Sequence, residues 1–361
     1  MAAAVAAGSG LQALLSSARK SIEGSGPLLL AIGNEAADAD SIISALGLAA
    51  LVQQLGCSAQ PVPLASCSRA QGALKPELAA LLKYADMKAG DLLYVDDFPW
   101  ADAAPRAQVA LVDHNAPEGA VASHCSAEAV VAILDHHVDG GACKHVTTCS
   151  LVGYAFACSA AAALGPGGAA HALPALLGSV ILLDTARLQD PSKTTPLDIA
   201  AVAALSAAEA GDAQAVAAIA QAVARGEHVA CPDEPPAWAT LHAAANAAKF
   251  DPAFWAALTL AQALRMDTKV RPCTGGGGTV AVAAVLAPLQ SLLVQGEGQP
   301  PLAEQALGVL QEAQADTLVI MTLTLQDGTP HRQLALLTPP TAQHMHAPLL
   351  AAVNAPEAGQ R

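Results

Sequence analysis

Four short apolar segments of this chain each lead directly into residues with carboxylate, imidazole or amide side chains. With their polar ends, these segments are 28–41, 109–115, 130–138 and 175–185. Short continuous apolar runs are typical of buried parallel strands, whose carboxyl ends face the crevice where α/β proteins bind ligands. Oxygen and nitrogen donors from four such ends can hold two hard or borderline divalent metal ions. The pattern predicts an α/β fold with a metal site at one edge of its sheet.

The four polar ends read GNEAADADS at 33–41, VDHN at 112–115, LDHHV at 134–138 and LLDT at 182–185. Their spelling and order resemble the motifs of the DHH phosphoesterase superfamily. Within the superfamily, the chain resembles the cytosolic exopolyphosphatases of the yeast type, which are relatives of the family II inorganic pyrophosphatases and of prune. The likeness runs from about Leu11 to about Arg332.

The resemblance implies a centre of two divalent ions (Mn²⁺, Mg²⁺ or Co²⁺) that activates water for attack on phosphorus. The metal ligands that it implies are Asn34, Asp38, Asp40, Asp113, His136 and Asp184. Asp113 would be catalytic as the ligand shared by both ions. Asn34 stands where the pyrophosphatases have a histidine, so it would supply a weaker oxygen ligand or leave the position to water. That difference favours the exopolyphosphatases.

The resemblance also implies roles for the imidazoles beside this centre. His137 would face the substrate phosphate as a catalytic and substrate-binding residue. His114 and Asp135 would lie behind the ligands and orient the imidazole rings.

The C-terminal part resembles the DHH-associated domain, of the DHHA2 type, that accompanies these enzymes. The resemblance is carried by residues 247–251 and 264–269, and it implies that Lys269 is a catalytic residue that projects over the substrate phosphates. Arg332 is a second candidate for a phosphate contact. The Ser-Arg-Lys triplet of the pyrophosphatases is absent, which further disfavours that activity.

The segment 226–236 is rich in Gly and Pro and predicts the interdomain boundary. We expect a catalytic, metal-binding DHH domain at 1–230, with a mainly parallel sheet flanked by helices. A smaller α+β substrate-binding domain is expected at 231–361. The predicted strands are 28–32, 92–95, 109–112, 130–134, 279–286 and 317–325, and the main predicted helices are 41–55, 149–164, 175–183 and 242–263.

The charge balance limits the partners of the protein. With 31 acidic and 17 basic residues the formal net charge is −14, which disfavours binding to nucleic acid or to anionic membrane surfaces. No apolar run reaches the ~18–20 residues of a membrane span. The eight cysteines are scattered without a Cys-x-x-Cys pair, as expected for reduced thiols in a cytoplasmic protein. The Ala-rich residues 1–26 suit either an organellar transit peptide or a helix before the first strand. Protein partners are not indicated.

The sequence thus predicts an exopolyphosphatase that hydrolyses the terminal phosphoanhydride bond of inorganic polyphosphate. The alternative within enzymes is hydrolysis of another small phosphoanhydride. Such an enzyme would be an inorganic pyrophosphatase or a prune-like short-chain polyphosphate or nucleotide phosphohydrolase. A scaffold that retains the fold without catalysis is the alternative outside them. Buried carboxylates are costly without a cation, which argues against the scaffold.

Overall fold

The computed structural model describes residues 2–138, 140–146, 149–150, 172–273, 277–294, 298–326 and 329–354. The strands, β1 to β9, are Leu28–Ile32, Gln60–Leu64, Ala107–Val112, Val130–Leu134, Cys149–Ser150, Thr268–Pro272, Thr279–Val285, Thr317–Gln326 and Thr329–Leu337. The α-helices, α1 to α15, are Ala2–Glu23, Ala39–Gln54, Arg69–Gly72, Pro76–Tyr84, Trp100–Ala103, Gly119–His124, Leu173–Asp184, Pro196–Glu209, Ala213–Ala224, Pro236–Lys249, Pro252–Ala256, Leu260–Arg265, Leu289–Leu292, Leu302–Glu312 and His346–Val353. Short 3₁₀ helices are Ala89–Asp91, Ala104–Arg106, Ala127–Ala129 and Pro340–Met345. Within these ranges, no helix is both long enough and apolar enough to cross a membrane.

The first sheet is parallel throughout, as the apolar runs predict. Its order is β2-β1-β3-β4-β5, and each neighbouring pair is parallel. The core on this sheet is mainly aliphatic and includes residues of α1, α2 and α7. The second sheet, β6-β7-β8-β9, has two antiparallel pairs and one parallel pair and carries a separate core. The predicted α/β class, with a parallel first sheet and a second α/β region, is confirmed.

Two features of the first sheet differ from the predicted strands. β2 was not predicted, since its sequence QPVPL contains two prolines that cannot donate to a ladder. Proline is tolerated there because β2 is the edge strand. The strand predicted at 92–95 is wrong, because that stretch makes only an isolated bridge between Ala65 and Tyr94.

The predicted helix at 149–164 is mostly outside the described residues. Residues 151–164 lie outside them, and Cys149–Ser150 forms β5. The helices predicted at 41–55 and 175–183 correspond to α2 and α7. The predicted helix at 242–263 is divided among α10, α11 and α12.

The chain divides into two compact units, Met1–Ala247 and Ala248–Arg361. The division falls later than the boundary predicted at 230, because most of α10 packs on the first unit. Trp238 is fully buried there, in the same core cluster as Leu241. Gly178 of α7 makes room for the indole, since a Cβ at that glycine would lie 2.1 Å from Trp238 Cζ3. The functional roles expected of the two units stay predictions.

Candidate metal centre

Two of the predicted ligands lie where β1 passes into α2. β1 ends at Ile32, and the turn that follows holds Ala37 in a left-handed conformation with φ of 47°. Asp38 is the N-cap residue of α2, and Asp40 lies in its first turn. The positive end of the helix dipole favours negative charge at both positions. The local fold thus gathers two carboxylates at one helix end.

Asp113 follows β3 directly and has an unusual backbone. Its φ is 62°, in the left-handed region that a non-glycine residue adopts only at a cost. Its N–H donates a hydrogen bond of 2.8 Å to Leu134 O, at the end of the neighbouring strand β4. Such outliers persist where the surrounding structure holds them, and they concentrate at functional sites. Asp113 is 8% exposed, so its carboxylate is held inside the protein.

Asp113 belongs to two overlapping groups of potential metal ligands. One donor atom from each of Asp38, Asp40 and Asp113 lies within 4.8 Å of the others. The same holds for the group of Asp113, His136 and His137. Carboxylate oxygens and imidazole nitrogens suit Mn²⁺, Mg²⁺ and Co²⁺, so the donor set fits the predicted ions. The structure thus brings together five of the predicted site residues, with Asp113 common to both groups.

The carboxylates of the first group repel one another. Burial, then the charges of Asp38 and Asp113, raise the pKa of Asp40 well above its usual value. The charge of Asp184 acts in the same direction. A group of acids that resists ionisation in this way is stabilised when a cation neutralises it.

The two histidines of the DHH motif have different carboxylate partners. His136 Nε2 lies 3.0 Å from Asp113 Oδ1, and this hydrogen bond is the main cause that raises the pKa of His136. His137 Nδ1 lies 2.7 Å from Asp135 Oδ1 and 3.7 Å from Asp113 Oδ1. The hydrogen bond with Asp135 is the main cause that raises the pKa of His137.

Asp135 is the centre of a small hydrogen-bond network behind His137. Its Oδ1 also accepts from the backbone N–H of His137 at 3.2 Å, and its Oδ2 accepts from Asn115 Nδ2 at 2.5 Å. Burial acts to raise the pKa of Asp135, but the hydrogen bonds from His137 and Asn115 outweigh it and the pKa is lowered. Asp135 therefore stays ionised and fixes the ring of His137.

Three predicted residues have other partners. Asn34 Nδ2 donates to Asp113 Oδ2 at 2.6 Å, while its Oδ1 accepts from the N–H of Ala37. His114 Nδ1 lies 2.9 Å from the carbonyl oxygen of Val112, the last residue of β3, and forms a hydrogen bond with it. Asp184, at the end of α7, pairs with Lys193 at 3.0 Å and belongs to neither group of described ligands. Its charge contributes to the raised pKa of His136.

The two predicted phosphate-binding cations lie in the second unit. Lys269 is on β6, an edge strand, opposite Val282 of β7. Arg332 is exposed within β9, opposite Leu323 of β8. Their roles stay predictions.

Three residues of the site were not assigned roles from the sequence. Ser41 Oγ donates to Asp113 Oδ2 at 2.6 Å, and Asn115 holds Asp135. Ser41 directly follows Asp40 and Asn115 directly follows His114, so their adjacency to predicted site residues could have identified them from the sequence. Lys75 is 4% exposed and donates to Ala36 O at 2.5 Å, bracing the turn between β1 and α2. Its position in the sequence carries no such signal.

Comparison with known proteins agrees with the family that the motifs resemble. Residues 29–166 match the DHH family, N-terminal domain, and therefore form a domain of that class. A curated protein of Schizosaccharomyces pombe (strain 972 / ATCC 24843), named as a putative exopolyphosphatase, is 31% identical over 114 residues. That alignment covers 31% of this chain and 29% of the relative, so the match spans less than a third of that protein.

A solved structure extends the comparison of the fold beyond the first unit. The crystal structure of a Methanococcus jannaschii putative family II inorganic pyrophosphatase is similar with a TM-score of 0.52 at 18% identity. The similarity covers 87% of this chain and 88% of that one. At this identity it shows a shared fold. The predicted resemblance to the DHH superfamily is confirmed.

Proposed function

We propose that this protein is a metal-dependent exopolyphosphatase that removes the terminal phosphate of inorganic polyphosphate. The observation that carries the proposal is the position of Asp113 in both potential ligand groups. Bound divalent cations at such a centre supply charge that stabilises phosphate oxygens and acidify a water molecule for attack on phosphorus. The raised pKa of Asp40 supports the need for cations there.

The residues that would hold the cations are those that the four motifs supply. They are Asp38, Asp40, Asp113, His136 and Asp184. Asp113 would serve both ions. Lys193 would have to release Asp184 for it to become a ligand, because the two form an ion pair of 3.0 Å. The identity of the cations is part of the proposal.

His137 would act on the substrate. Asp135 engages its Nδ1, so the other ring nitrogen is left to meet a phosphate oxygen. The raised pKa keeps more of the imidazole protonated near neutral pH, and a protonated ring both attracts phosphate and donates a hydrogen bond to it. Lys269 and Arg332 would supply further positive charge for a long polyanion, in a chain whose net charge is −14.

A phosphate-release assay tests the proposal. Pyrophosphate, tripolyphosphate and long-chain polyphosphate should be compared with Mg²⁺, Mn²⁺ and Co²⁺. We expect release of phosphate from tripolyphosphate and longer chains, and its loss in Asp113→Ala. Asp102→Ala, which removes an exposed carboxylate in the same unit, is the matched control.

Three outcomes would contradict the proposal. Absence of release from all three substrates with all three cations would refute a phosphoanhydride hydrolase. Release confined to pyrophosphate would identify a pyrophosphatase instead. Release that survives Asp113→Ala would refute the shared metal centre. The predicted cytoplasmic location stays a prediction.

A further inference from the structure

The two oxygens of the Asp113 carboxylate have different surroundings. Oδ2 accepts two hydrogen bonds of 2.6 Å, from Asn34 Nδ2 and from Ser41 Oγ. Oδ1 faces the imidazoles, with His136 Nε2 at 3.0 Å. Asn34, Ser41 and Asp113 are all buried, at 6%, 0% and 8% exposure. One oxygen is therefore held by two neutral donors, and the other is directed toward the histidines.

The direction of both hydrogen bonds follows from the neighbouring contacts. Asn34 Oδ1 accepts from the N–H of Ala37 at 3.2 Å, so the amide nitrogen is the atom that faces Asp113. An amide nitrogen of this kind is a donor and offers no lone pair to a cation. Ser41 Oγ accepts from the backbone N–H of Asn34 at 3.3 Å, which leaves its own proton to donate to Asp113.

The local backbone leaves little room for these groups to move. A Cβ at Gly33 would lie 2.6 Å from Ser41 Cβ, so the turn and the first residues of α2 are in close contact. On the other side, the hydrogen bond from Asp113 N to Leu134 O fixes the Asp113 backbone. The carboxylate is thus held from its backbone and from one of its two oxygens.

We propose that Asn34 and Ser41 are positioning residues that hold Asp113 through Oδ2 and present Oδ1 to the metal centre. Asn34 then affects metal affinity through Asp113 and is not itself a ligand. The inference rests on the proposed metal-dependent function. It assigns a role to Ser41 and replaces the ligand role that the sequence resemblance implies for Asn34.

Mn²⁺ titration calorimetry without substrate is the first test. Loss of a group that orients a metal ligand typically weakens metal affinity roughly 10- to 100-fold, and we expect this range for Ser41→Ala and for Asn34→Ala. Ser179→Ala is the matched control, because Ser179 is also fully buried on a helix and its hydroxyl has no hydrogen-bond partner within the described part of the chain. Unchanged Mn²⁺ affinity in Ser41→Ala would overturn the proposal.

Double-mutant cycles in the metal-free protein are the second test. Urea unfolding should show that Ser41→Ala and Asn34→Ala each change the unfolding midpoint less when Asp113→Ala is already present. Additive effects for both pairs would overturn the proposed contacts. If the Asn34 cycle is additive while Asn34→Ala weakens Mn²⁺ binding, Asn34 is a direct ligand and its assignment here is wrong.

The two tests still decide the proposal if Ser41→Ala does not fold or if the protein releases no phosphate. If Ser41→Ala does not fold, Ser41→Cys is the substitute, because the thiol has a similar volume and is a much weaker hydrogen-bond donor. Ser41→Cys should also weaken Mn²⁺ binding, and unchanged Mn²⁺ affinity in that variant counts against the proposal. Neither experiment contains substrate. Failure of phosphate release would therefore refute the proposed function without changing what calorimetry and unfolding say about Asn34 and Ser41.

Discussion

Asp135→Asn is the substitution that best tests the arrangement behind His137. Asp135 is 3% exposed and accepts hydrogen bonds from the ring of His137 at 2.7 Å and from Asn115 at 2.5 Å. Asparagine has nearly the same shape but carries no charge and has one acceptor oxygen in place of two. It cannot accept from both partners in the same way, so the variant tests the charge and hydrogen bonding of Asp135 while conserving its volume.

The expected magnitude follows from the contact that is lost. A hydrogen bond to a charged group contributes about 1.5–3 kcal/mol, so kcat/KM should fall roughly 10- to 150-fold if His137 acts on the substrate. The protein should also unfold at lower urea concentration. The pKa of Asp135 is lowered in the fold, so its charge stabilises the protein above its unfolded pKa, and asparagine cannot supply that stability.

The pH profile gives the variant a specific signature. The hydrogen bond with Asp135 raises the pKa of His137, so its loss should lower that pKa. Activity that needs the protonated ring is lost as pH rises through this pKa, and the loss should therefore begin at lower pH in the variant. The assay is phosphate release from tripolyphosphate with Mn²⁺ over a range of pH, with Asp102→Asn as the control. Unchanged kcat/KM together with an unmoved pH profile would refute the role given to Asp135.

Three further predictions concern the metal centre and the second unit. Asp113→Ala should abolish Mn²⁺-supported phosphate release while the circular dichroism spectrum stays that of the folded protein; retained release would contradict its shared role. Lys269→Ala should lower kcat/KM for tripolyphosphate by roughly 10- to 100-fold, the loss expected of one charge-assisted contact, with calorimetric Mn²⁺ affinity unchanged. Lys249→Ala is its control, and equal kinetics for the two variants would exclude Lys269 from phosphate binding. The pKa of Asp40 is raised in the fold, so between the ordinary and the raised pKa the folded, metal-free protein binds more protons than the unfolded chain. The stability of the metal-free protein should therefore fall as pH rises through that interval. Urea unfolding should show a weaker dependence on pH in Asp40→Asn, and an equal dependence would contradict the crowding of carboxylates.

The sequence predicted the central strands well because their burial is visible in composition alone. β1, β3 and β4 are short apolar runs that end in polar motifs, as is typical of parallel strands between layers of helices, although Val131 of β4 is 40% exposed. The edge strand β2 was missed because an edge requires fewer ladder hydrogen bonds and so accepts prolines. The two units divide after Ala247, later in the chain than the predicted boundary, because the packing of Trp238 against Gly178 joins residues far apart in the chain.

The motifs include the five residues that meet in the two ligand groups, but they also include Asp184, which pairs with Lys193, and they do not indicate how the atoms pair. Asp38, Asp40, Asp113, His136 and His137 come together as expected. The roles of Ser41 and Asn115 depend on which lone pair of a carboxylate each donor reaches, and a linear pattern does not contain that information. The same is true of Asn34, since either end of its amide could have faced Asp113.

The strand order gives Asp113 a position that no other proposed metal ligand shares. β3 lies between β1 and β4, and neighbouring strands are about 4.8 Å apart. The residues after β1 and those after β4 are therefore separated by roughly 10 Å, two strand spacings, whereas the end of β3 is one spacing from each. A carboxylate placed after β1 or β4 would reach only one side of the centre. Exchanging Asp113 with a neighbouring ligand would therefore conserve the composition of the site and still separate its two halves.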